Sequence, residues 1–81
     1  MEIIFSDEFR KDFKKIKDES TRIKIIKQLK KLEHDPEAGK PLKYDFKNHR
    51  SLRVPPFRLI YKIENGRIII NCFDNRSNVY E

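Results

Sequence analysis

The segment Asp35 to Pro41, with two prolines and Gly39, constrains this chain more than any other feature, because the hydrophobic period changes across it. Before it, apolar residues recur at helical spacing. After it, they come in short β-rich runs separated by turn residues. A chain of 81 residues that changes period once has room for a single domain, residues 1–81, with one thin core between a few elements.

In the first half, Glu2-Ile3-Ile4-Phe5 reads as a short strand, closed by Ser6-Asp7-Glu8, a helix N-cap followed by first-turn acids. Phe9, Phe13 and Ile16 recur at i, i+4, i+7 among lysines and arginine, so one face of that helix is core. Asp18-Glu19-Ser20 breaks the pattern. Ile23, Ile25, Ile26, Leu29 and Leu32 then form a second apolar stripe that stops at His34-Asp35-Pro36, and so short a break predicts an antiparallel hairpin.

In the second half, Leu42 to Phe46 reads as a short edge strand. Ser51 to Val54 and Phe57 to Ile63 flank a Pro55-Pro56 tip, and Glu64-Asn65-Gly66 turns into a last strand, Arg67 to Phe73. The expected class is α+β in the order β-α-α-β-β-β, an antiparallel helix hairpin packed on one face of a small, mainly antiparallel sheet.

Only 37% of the residues are hydrophobic and 40% are charged, with a net charge of +6, which favours a polyanionic partner. Residues 1–40 carry 11 basic and 9 acidic groups, whereas residues 41–81 carry 8 and 4, so the positive field belongs to the second half. Cys72 is the only cysteine and reads as a small buried hydrophobe in a reducing compartment. The opening residues lack the pattern of a signal peptide, and no run is long enough to span a bilayer, so a cytoplasmic location without membrane partners is expected. Neither metal-ligand spacing nor a glycine-rich phosphate loop is present, and no cofactor is expected.

Strand alternation then sorts the side chains. Leu52, Val54, Leu59 and Tyr61 should meet the helices, which leaves Arg53 and Arg58 together on the open face. In the last strand both alternating sets are mostly apolar; Ile68, Ile70 and Cys72 are expected as core, and Ile69, Asn71 and Phe73 on the open side beside Ile60. A partly apolar surface rimmed by arginines suits a partner chain. Arg76 follows the strand closely enough to swing over the same face, with Tyr80 just beyond, although periodicity alone leaves this open.

The opening strand–helix–helix, Leu52-Arg53-Val54 before a tight turn, Phe57-Arg58-Leu59-Ile60-Tyr61 after it, and Arg76 through Val79-Tyr80 resemble the RelE side of the RelE/ParE toxin superfamily over nearly the whole chain. The resemblance implies a ribosome-dependent endoribonuclease that cuts messenger RNA in the A site without a metal, by attack of a 2′-hydroxyl on the adjacent phosphate. It implies that Arg58 and Arg76 hold the scissile phosphate and that Tyr80 stacks on or orients a base.

Arg53 falls where some relatives place a lysine regarded as the base, and Ser51 where many are basic. A guanidinium is not deprotonated in a protein, so Arg53 is a further clamp, and proton abstraction falls to Tyr80, to Lys43 or Lys47, to water or to a ribosomal group. Lys43, Lys47, Arg50 and Ser51 are the expected RNA-binding positions around this catalytic set of Arg53, Arg58, Arg76 and Tyr80. His49 is a weaker proton-transfer candidate, and Glu81 after Tyr80 adds negative charge beside the site.

The implied partners are ribosome, messenger RNA and a RelB-like antitoxin, in a heterotetramer with it. Two other functions stay open on the residues: a ParE-like inhibitor of DNA gyrase, and a basic RNA- or ribosome-binding module without activity.

Overall fold

A computed structural model describes the backbone at residues 1–42 and 48–75, with side chains up to Phe73. The chain runs β1 (Glu2–Phe5), α1 (Asp7–Lys15), α2 (Glu19–His34), β2 (Lys40–Pro41), β3 (His49–Val54), β4 (Phe57–Glu64) and β5 (Arg67–Asn75). The strands form one sheet in the order β1-β5-β4-β3-β2, with β1 parallel to β5 and every other pair antiparallel. No helix among the described residues is long and apolar enough to cross a membrane.

Local chemistry sets the helix ends. The Ser6 side chain accepts the Phe9 N–H at 3.0 Å, and Asp18 accepts the Thr21 N–H at 3.2 Å, each meeting an amide with no partner inside its helix. At the C-terminus of α1, Arg22 Nη1 donates to the carbonyls of Phe13 (3.1 Å) and Ile16 (2.8 Å), and its guanidinium lies 4.3 Å from the centre of the Phe13 ring. One side chain of α2 thus caps α1 and closes the hairpin.

The hairpin lies on one face of the sheet, over Leu52, Val54, Leu59, Tyr61, Ile68, Ile70 and Phe73. Ile25 and Leu32 are fully buried, but Ile23 and Ile26 are 47% and 43% exposed, which corrects the wide apolar stripe expected of α2. Ile25, Leu29 and Leu32 share the sheet-facing side at i, i+4, i+7, and a step of about 100° per residue carries Ile26 and Ile23 away from it.

The larger correction is in β5. Ile60 pairs with Cys72, but Tyr61 pairs with Ile70, so Asn71 is an extra residue, a β-bulge. A one-residue slip exchanges the faces beyond it. Ile68 and Ile70 meet the helices as expected, whereas Phe73 turns into the core and Cys72 to the opposite side. The Phe73 ring centre is 4.8 Å from Phe9, 5.6 Å from Phe57 and 6.5 Å from Phe13, an aromatic cluster tying α1 to both central strands. Ser6 holds the bulge as well: its hydroxyl donates to the Asn71 carbonyl and its N–H to that of Ile70.

Two connections agree with the sequence reading. Asn65 and Gly66 both have positive φ, 53° and 74°, the backbone of a two-residue type I′ hairpin between β4 and β5. Pro55-Pro56 forms the β3–β4 tip. The edge strand, however, is Lys40–Pro41 with Leu42 N–H continuing to the His49 carbonyl at 3.0 Å; of the expected Leu42–Phe46 strand, positions 43–46 lie outside the described residues.

Candidate nucleic-acid interface

Because β3 and β4 pair without interruption, their alternation is kept, and Arg53 stands directly opposite Arg58 on the face away from the helices. Like charges at opposed positions are unfavourable in a sheet. In the ladder Arg58 is paired on its other side with residue 74 of β5. Arg53 is exposed. Arg58 is half-buried and donates from Nη1 to the Ser51 hydroxyl at 3.2 Å.

Ser51 is only 2% exposed. At a position expected to contact RNA, it therefore aims a guanidinium instead. The same face carries a small apolar cluster: Leu42 and Ile60 are buried, and Cys72 packs against them. The Arg58 Nε is buried, which restricts the rotamers of the side chain, and a planar, permanently charged group held this way is suited to contacting a phosphate.

A hollow of about 240 Å³ at the edge of this face is lined by Ala38, Lys40, Ser51, Leu52, Arg53 and Arg58. Lys40 is a residue the sequence reading passed over. The signal was its place after Gly39 at the end of the loop, but only the pairing of Lys40 with Ser51 turns it toward the arginines.

Arg50 behaves differently. Alternation sets it on the helix side of β3, where Nη1 donates to the carbonyls of Gly39 (2.8 Å) and Glu37 (3.3 Å) and Nη2 lies 3.9 Å from the Glu37 carboxylate. It is brought to the loop after α2 and not to the arginine pair. His49 shares the face of Ser51 and Arg53 but sits four residues from Arg53, roughly 13 Å along an extended strand. Glu64 pairs with Lys62 at 3.5 Å. Lys43, Lys47, Arg76 and Tyr80 lie outside the described residues.

Tyr61 links core and edge. Its ring is fully buried, while its hydroxyl donates to the Pro36 carbonyl at 2.7 Å and accepts the Gly39 N–H at 2.9 Å. Burial pushes the phenol above its ordinary value, against the lowering effects of the Gly39 bond and of Arg50, so the hydroxyl remains a donor.

Residues 3–80 match the family described as ParE toxin of type II toxin-antitoxin system, parDE, and the chain belongs to that family. Among solved structures, the YoeB/ParE toxin from Agrobacterium tumefaciens is similar at 20% identity and a TM-score of 0.82, covering 93% of this chain and 98% of that one.

The RelBE2 toxin-antitoxin complex from Mycobacterium tuberculosis is similar at 24% identity and a TM-score of 0.80, covering 93% and 96%. The heterotetrameric YoeB-YefM toxin-antitoxin complex from Staphylococcus aureus is similar at 23% identity and a TM-score of 0.76, covering 91% and 94%. At these identities the likeness is one of fold. A search of curated proteins returns no significant match.

Proposed function

We propose that this toxin is an endoribonuclease that acts in the cytoplasm on messenger RNA in the ribosomal A site. The observation that carries the reading is Arg58, opposed to Arg53 and hydrogen-bonded to the buried Ser51, on a face of the sheet that the helices leave open. Arg53 and Arg58, joined by Arg76, grip the scissile phosphate. The 2′-hydroxyl gives up its proton to Tyr80, Lys43 or Lys47, water or a ribosomal group as its oxygen attacks phosphorus; the P–O5′ bond breaks, and the leaving 5′-oxygen takes up a proton, so the products are a 2′,3′-cyclic phosphate and a 5′-hydroxyl. As charge spreads over the phosphoryl oxygens the guanidiniums oppose it, with Tyr80 stacked on a base.

The test is a translating extract. Wild-type protein is expected to yield messenger fragments cut at the A-site codon, and Arg58→Ala to cut about 100-fold more slowly, the order of loss for removing one transition-state donor. Intact messenger in the presence of folded wild-type protein would sink the proposal.

Gyrase inhibition is the second reading, favoured by the parDE description of the matched family. It requires cleaved plasmid to accumulate with gyrase and messenger to stay whole.

Either toxin needs an antitoxin, RelB-like in the first reading and assembled with the toxin as a heterotetramer. The groove between α1 and α2, about 550 Å³, has Phe5, Phe9, Phe13, Ile26 and Leu29 as floor and Arg10, Lys14 and Arg22 as rim. An acidic amphipathic segment complements it in both polarity and charge. Ile26→Glu is expected to release the antitoxin from the native complex, and unchanged retention would move the contact elsewhere.

A further inference from the structure

Residues Pro36 to Gly39 are held by more bonds than a surface connection needs. Tyr61 bonds Pro36 and Gly39 from inside the core, and Arg50 bonds Glu37 and Gly39 from β3. Gly39 lies so close to the tyrosine that a Cβ at this position would stand 2.6 Å from the Tyr61 hydroxyl oxygen and 2.9 Å from the Ser51 carbonyl. The next residue is Lys40, paired with Ser51 in the ladder. Opposed residues share a face, and Lys40 thereby joins Arg53 and Arg58 around one hollow.

The fold thus spends a buried tyrosine, a buried glycine and an arginine on placing one exposed lysine beside two arginines. Three cationic side chains from three neighbouring strands line one hollow, a surface complementary in charge to a polyanion. Lys40 and Arg58 are separated by two strand spacings and two residues of rise, roughly 12 Å between Cα atoms. That span suits neighbouring phosphates of one strand better than a single phosphate. An ammonium, compact and freely rotating, serves such a peripheral contact without the geometric demands of a guanidinium.

We infer that Lys40 is a further phosphate-contacting residue of the RNA site and that Tyr61, acting through Gly39, is the positioning residue that sets it. The inference rests on the RNA reading of this face, but its test needs neither ribosome nor cleavage. The probe is a labelled single-stranded RNA, titrated with the purified chain over a range of salt. Each phosphate contact on a single strand contributes about 0.7 to the slope of log affinity against log salt, which is about fivefold in affinity over a tenfold change of salt.

Lys40→Ala is expected to lower the slope by that amount and Lys40→Arg to restore it. Lys30→Ala, which removes the same charge from an exposed position on α2, keeps the wild-type slope. Tyr61→Phe keeps the ring and loses both loop bonds; it is expected to lower the slope as Lys40→Ala does, and the double variant to go no lower. A tyrosine that only stabilised the fold would lower the unfolding midpoint and leave the slope alone, which overturns the positioning role.

A wild-type slope in Lys40→Ala, or a wild-type chain that does not bind the RNA, overturns the inference as a whole. If the Lys40 effect is present while wild-type protein leaves messenger intact in a translating extract, the nuclease reading fails and the phosphate contact stands.

Discussion

Toward the helices, the central strands present a continuous apolar layer from Leu52 and Val54 through Leu59 and Tyr61 to Ile68, Ile70 and Phe73. Away from the helices, the same strands bury Ile60, with Leu42 and Cys72 beside it, and Ser51, and on this face Arg53, Arg58 and Lys40 line a hollow. Both faces come from one alternation, yet one gains stability from apolar burial and the other gives some up to opposed charges. The contrast separates residues that hold the fold from residues that, in the proposed reading, recognise a ligand. Tyr61 touches both, with its ring in the core and its hydroxyl bonded to Pro36 and Gly39 in the loop that leads to Lys40.

The comparison breaks most readily at Phe73. Phe73→Ala removes the hub of the aromatic cluster and is expected to cost about 3–5 kcal/mol in denaturant unfolding. A cost well under 1 kcal/mol would mean that the bulge does not turn this ring into the core.

Gly39→Ala comes next, at about 1–3 kcal/mol, because the added methyl meets the Tyr61 ring and the Ser51 carbonyl and neither side can move freely. If thermal unfolding is unchanged, the loop is not clamped against the tyrosine. Ser6→Ala is expected to cost about 1 kcal/mol through loss of the α1 cap, together with the side-chain bond to the bulge. Faster amide exchange confined to α1 and the middle of β5 checks it, and exchange spread evenly over the chain would not fit.

The smallest effect is alkaline. The phenol of Tyr61 is raised in the folded state, so the folded chain holds its proton to higher pH than the unfolded chain does. The stability this provides is fully present below about pH 10, the ordinary value of a tyrosine, and is lost as pH rises through the folded value. Stability measured from pH 9 to 11 is expected to fall more steeply in wild type than in Tyr61→Phe, and parallel curves would contradict the burial account.

Where alternation runs unbroken, the sequence was readable residue by residue: Arg53 and Arg58 are opposed because nothing interrupts β3 or β4 between the Pro55-Pro56 tip and Ile60. The helix caps at Ser6 and Asp18 and the Asn65-Gly66 turn were equally legible, since each is decided within a few residues. Cys72 and Phe73 were not, because the bulge at Asn71 is held by Ser6, 65 positions away in sequence. Arg50 and Lys40 likewise depend on where the loop after α2 returns to β3, a tertiary contact that no local spacing encodes. Arg76, Tyr80, Lys43 and Lys47, the other half of the candidate site, fall outside the described residues.

The central claim, that the open face grips a phosphate and does not hold the fold, is tested most directly by measuring Arg58→Ala twice, for messenger cleavage in a translating extract and for thermal unfolding. The expected result is cleavage down about 100-fold with an unfolding midpoint within a few degrees of wild type. Cleavage at the wild-type rate, or a loss of activity that simply follows unfolding, would contradict it.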